Sequence, residues 1–154
     1  MIIDLIAGAR PNFMKIAPII DAINIAQSRG EKIKYRLIHT GQHYDKNMSD
    51  SFFKQLSIPF PDINLNAGSG THAEQTSAIM IGYEKILRGV KTDICLVVGD
   101  VTSTMACALV AKKMHVKVIH VEGGIRSFDL NMPEEINRIV TDSITDYFFT
   151  TSIT

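Results

Sequence analysis

Short apolar runs rich in β-branched residues alternate along this chain with longer segments whose apolar residues fall at helical spacing. No feature constrains its fold more. Residues 2–7, 33–40, 62–65, 94–99, 116–122 and 147–151 read as strands, the third of them weak. Residues 15–27, about 47–56, 71–87, 105–114 and 134–145 read as helices between them. Pro18 fits the first turns of its helix or kinks it, and Thr71 is placed to cap the third. Runs 94–99 and 116–122 are apolar without interruption, as strands covered on both faces are. Repeated βα units of this kind predict an α/β fold with a Rossmann-like parallel sheet, helices on both faces and right-handed crossovers.

In such sheets ligands bind beyond the carboxyl ends of the strands. That rule singles out four loops: GARPN at 8–12, GQHYD at 41–45, GDVTST at 99–104 and EGGIRS at 122–127. The first turns into a helix, with Arg10 and Lys15 as cations near its positive end, and reads either as an anion site or as a tight turn with two solvated bases. It is not the GxGxxG fingerprint, so no dinucleotide cofactor is indicated. Gln42 and His43 sit where side chains can face a ligand, although a loop histidine is as readily a surface residue. Asp100 directly follows an apolar strand. There it can act as a base, while the Thr and Ser residues after it can simply cap the next helix. Glu122 reaches the same edge if its strand neighbours that of Asp100, with Gly123 and Gly124 leaving room beside it. Pro133, Glu134 and Glu135 open a helix with acids at its positive end. Arg138, four residues after Glu134, shares its face and suggests an ion pair. Asp100, Glu122 and Glu134 are thus able to converge in one cleft as acid–base carboxylates.

The 154 residues are the usual size of one domain. Lys plus Arg equals Asp plus Glu at 16 each, which leaves no basic footprint for nucleic acid or for a membrane surface. No run approaches the roughly 20 apolar residues of a membrane helix, and the apolar start lacks a basic leader. Cys95 and Cys107, the only cysteines, lie in apolar segments and read as buried residues of a reducing compartment. A cytoplasmic protein is expected.

Taken together and in order, GARPNFMKIAPII, HTGQHYD, VVGDVTST, HVEGGIRS and PEEINRIVTD resemble the non-hydrolysing UDP-N-acetylglucosamine 2-epimerase family along essentially the whole chain. The resemblance implies one half of a GT-B architecture, in which two Rossmann-like domains enclose the active site. It implies interconversion of UDP-GlcNAc and UDP-ManNAc by elimination and re-addition of UDP, without a metal or nicotinamide. Asp100, Glu122 and Glu134 would be the acid–base carboxylates. Arg10, Lys15 and Arg138 would hold substrate or balance charge, and Gln42 and His43 would contact a regulatory sugar nucleotide, as in bacterial members. Gly123 stands where many members have Ala. The family continues past the position of Thr154 into a linker and a UDP-binding domain. The chain therefore reads as an amino-terminal half, inactive by itself, with either a homodimer partner or a carboxyl-terminal half to complete it. A sugar-nucleotide-binding module without turnover, a hydrolysing 2-epimerase domain and a generic flavodoxin-like domain are the alternatives.

Overall fold

A computed structural model describes residues 1–41 and 50–151. Among these, six strands form one parallel sheet: β1 (Ile2–Ala7), β2 (Lys34–His39), β3 (Ile63–Asn64), β4 (Ile94–Val98), β5 (Lys117–Val121) and β6 (Tyr147–Phe149). The helices are α1 (Arg10–Ser28), α2 (Asp50–Gln55), α3 (His72–Gly89), α4 (Thr102–Lys113) and α5 (Pro133–Ile144). The strand order is β3-β2-β1-β4-β5-β6, the Rossmann order, which reverses direction between β1 and β4.

Successive side chains of a strand point to opposite faces, and each face here has its own core. Ile3, Leu5 and Ala7 of β1 pack with Leu37, Leu96 and Val98 against Phe13, Ile16 and Ile20 of α1 and Phe52 and Phe53 of α2. Ile6 packs with Ile38, Cys95, Val97 and Val118 against Ile79 and Tyr83 of α3 and the alanines of α4. At the amino end of the sheet, buried Asp4 is paired with Arg36 at 2.6 Å and accepts from the Tyr83 hydroxyl at 3.0 Å. Both cysteines are free and buried, and burial pushes the Cys95 thiol up to about 12. No described helix is long and apolar enough to cross a membrane.

The strands fall where the apolar runs put them, but two helices begin earlier than their periodicity indicates. α1 starts at Arg10 rather than Lys15 because Asn12 supplies its cap from inside the first turn. The Asn12 side-chain oxygen accepts from the backbone N–H groups of Gly8 at 3.0 Å and Ala9 at 2.9 Å. Pro18 accordingly lies in the third turn. α4 starts at Thr102 rather than Met105, and its hydroxyls do not cap it. Val101 is the capping residue, with no side-chain bond. The Ser103 hydroxyl instead meets that of Thr40 at 2.7 Å, and the Thr104 hydroxyl donates to the Val98 carbonyl at 2.9 Å. α3 does begin with Thr71 as its cap, in a reciprocal bond with Glu74.

Candidate active site

β4 and β5 are parallel neighbours in register from Ile94 opposite Lys117 to Val98 opposite Val121. Their following residues therefore emerge side by side at the carboxyl edge, and the Gly99 N–H donates to the Val121 carbonyl at 3.0 Å. Glu122 has φ +66°, a left-handed conformation that costs a non-glycine residue about 1 kcal/mol or more. The bond from its N–H to the Phe149 carbonyl, at 2.8 Å, helps to hold it there. Such strain clusters at functional sites.

At this edge Asp100 and Glu122 each have a cation. Lys15 Nζ of α1 lies 2.5 Å from Glu122 Oε2. The Arg138 guanidinium of α5 binds Asp100 Oδ2 and also reaches Glu135 Oε2 at 3.2 Å. The Asn137 side chain donates to the Asp100 carbonyl at 2.8 Å, so two successive residues of α5 fix both ends of that aspartate. Gly99, at φ +70°, lies beneath the group: a Cβ there would come within 3.9 Å of Glu122 Oε2, Asn12 Nδ2 and Lys15 Nζ alike. The carboxyl ends of β4 and β5 thus carry two ion pairs, both only partly covered. Charge-assisted bonds of this kind fix carboxylate position as well as charge.

Of the three expected carboxylates, two are ion-paired and the third is not, among the described residues. Asp100 and Glu122 share the edge, each neutralised by its own cation. Glu134 is exposed on the first turn of α5 and makes no hydrogen bond or ion pair among the described residues. The ion pair expected between Glu134 and Arg138 is absent, because Arg138 turns inward to Glu135 and Asp100. Glu135 is buried. Backbone N–H groups from Ser127 and then Phe128, with Arg138, outweigh the cost of burial and hold its carboxyl down at about 2. Arg10 stands apart, its guanidinium stacked 4.6 Å above the Phe52 ring. With Pro11, Met14, Gln55 and Leu56 it lines an open recess of about 410 Å³. Gln42 and His43 lie outside the described residues.

A further group escaped the sequence reading. His120 is fully buried on β5, with Nδ1 2.7 Å from Asp142 Oδ1 and Nε2 2.7 Å from the Gly99 carbonyl. Asp142 Oδ2 accepts from Arg126 at 2.5 Å and from the Gly124 N–H at 3.0 Å. The signal was a polar residue at an inward position of an apolar strand, which must find partners.

The sequence profile of the UDP-N-acetylglucosamine 2-epimerase family matches residues 26–154. The UDP-N-acetylglucosamine 2-epimerase of Methanocaldococcus jannaschii is 48% identical over 149 residues, covering 97% of this chain and 39% of that protein. The UDP-2,3-diacetamido-2,3-dideoxy-D-glucuronate 2-epimerase of Pseudomonas aeruginosa is 46% identical over 144 residues, covering 94% and 40%. A crystal structure of the M. jannaschii enzyme in complex with UDP-GlcNAc and UDP superposes with a TM-score of 0.89, covering 97% of this chain and 40% of that one. The chain thus spans about 40% of the length of these relatives.

Proposed function

This chain belongs to the UDP-N-acetylglucosamine 2-epimerase family, and on that premise we propose that it is the sugar-side portion of an enzyme that interconverts UDP-N-acetylglucosamine and UDP-N-acetylmannosamine. Inverting C2 of such a sugar requires a base to take the C2 proton while the C1–O bond to the diphosphate breaks. A C1–C2 double bond results. A proton must then reach the opposite face as UDP adds back. The observation that carries the reading is the pair of positioned carboxylates, Asp100 and Glu122, on adjacent strand ends with Arg138 and Lys15 behind them. In this reading Asp100 and Glu122 handle protons and Lys15 and Arg138 hold them in place. Glu134, exposed on the first turn of α5, and Arg10 meet substrate that is also gripped from the other half of a GT-B cleft. The enzyme works in the cytoplasm, as a homodimer, to supply N-acetylmannosamine for surface polysaccharide.

One observation favours a second reading of the substrate. The Pseudomonas relative acts, by its name, on a diacetamido-glucuronate nucleotide, and it is 46% identical. That sugar differs from N-acetylglucosamine at positions 3 and 6, so both UDP-sugars belong in the assay.

The test places Asp100→Asn in an epimerase of the relatives' full length that carries these 154 residues. Turnover of UDP-GlcNAc, followed by chromatography of UDP-ManNAc and by deuterium uptake at C2 in heavy water, should fall at least ~100-fold. Turnover within a few-fold of the unsubstituted enzyme would remove Asp100 from the chemistry.

A further inference from the structure

We propose that His120 and Asp142 form a positioning pair, in which a doubly protonated His120 ring ties the Gly99 carbonyl to the Asp142 carboxylate and so sets Asp100 relative to Glu122. Only its kinetic consequence rests on the epimerase reading.

The protonation state follows from donor and acceptor accounting. A carbonyl oxygen carries no proton, so His120 Nε2 must donate to Gly99. Asp142 Oδ2 already accepts from the Arg126 guanidinium and from the Gly124 N–H, which marks the group as an ionised carboxylate. Its Oδ1 can then only accept, and His120 Nδ1 must donate as well. A neutral imidazole has one N–H and would leave one of the two 2.7 Å contacts as facing lone pairs. The surroundings agree. The charged groups at this edge are Lys15 from α1, Asp100 after β4, Glu122 and Arg126 after β5, and Glu135, Arg138 and Asp142 from α5. β6 presents the Phe148 ring, which carries no charge. With His120 charged, these cations and anions balance at four each; with it neutral, one anion is left over.

The ring has leverage because of what it joins. Gly99 immediately precedes Asp100. His120 lies two residues before Glu122, and Asp142 holds the N–H of Gly124 two residues after it. The pair has little room to shift. A Cβ on Gly123 would meet Phe148 Cδ1 at 2.7 Å, His120 Nδ1 at 3.2 Å and Asp142 Oδ1 at 3.3 Å.

The first measurement uses the 154-residue chain itself and needs no substrate: nitrogen–proton correlation spectra of the histidine rings. Two ring N–H signals are expected for His120 at neutral pH. Asp142→Asn keeps the shape, since the new amide can donate to a neutral Nδ1 while its oxygen accepts from Gly124 and Arg126; one His120 ring proton should then remain. In the full-length enzyme described above, Asp142→Asn should lower kcat by about 10- to 100-fold, the effect of misplacing reacting groups by an ångström or less. KM should stay within about twofold, because ground-state binding is untouched. A single ring N–H in the unsubstituted chain overturns the inference, as does unchanged kcat in Asp142→Asn. If the full-length enzyme shows no turnover with either UDP-sugar, the epimerase reading fails and the ring-proton count alone decides this one.

Discussion

Glu135 is almost without solvent contact, yet its carboxyl is held at about 2 by the Ser127 N–H, against the cost of burial, and then by the Phe128 N–H and Arg138. An acid depressed in the folded state adds stability above its unfolded value of about 4.3, and loses it as pH falls toward the folded value. The chain should therefore lose this contribution between about pH 4.5 and pH 2. Glu135→Gln can accept from one N–H but turns its own donors toward the other, so it should destabilise at neutral pH. Urea midpoints of the two proteins should differ clearly at neutral pH and converge near the acid end of that window. An equal gap at both ends would mean that the ionised form is not what matters. The same residue marks a limit of sequence reading. Helical spacing allows Arg138 to pair with the residue three or four positions before it. The choice of Glu135 over Glu134 is made by Ser127, Phe128 and Asp100, which come from other segments.

Two clusters of hydroxyl residues before helices behaved differently, for a reason local patterns carry only in part. Thr71 and Glu74 form the T-x-x-E pattern, and both halves of the box are present: the Glu74 N–H donates to the Thr71 hydroxyl, and the Thr71 N–H to the Glu74 carboxylate at 2.8 Å. Both residues are exposed, so nothing else competes for them. Thr102, Ser103 and Thr104 are buried at the meeting of β2, β4 and α4, where the Thr40 hydroxyl and the Val98 carbonyl engage two of the three. Thr71→Ala should cost about 1 kcal/mol, the usual worth of such a cap. Calorimetry should show the corresponding fall in Tm, and an unchanged Tm would mean that α3 is held by packing alone. Strand positions were legible because burial on two faces writes itself into continuous apolar runs. Asn12 was not, because a residue that caps from within the first turn looks like loop until the Gly8 and Ala9 N–H groups are seen to point at it.

The strand order β3-β2-β1-β4-β5-β6 puts the crevice between β1 and β4, and Lys15, Glu122, Asp100 and Arg138 stand in or beside it. Their side chains are 38%, 27%, 30% and 17% exposed. Water at that level weakens every charge in the crevice, since ion pairs this open are worth little and a catalytic field needs a site closed to solvent. The 154-residue chain by itself should therefore bind UDP-GlcNAc weakly and turn it over at least ~1000-fold more slowly than the full-length enzyme, the order of what orientation and electrostatic stabilisation supply together. Titration calorimetry measures the first. Deuterium uptake at C2 in heavy water measures the second, and it detects proton removal even when no product accumulates. Turnover by the short chain near that of the longer enzyme would show that the edge works without cover, and that the reacting groups lie deeper than Asp100 and Glu122.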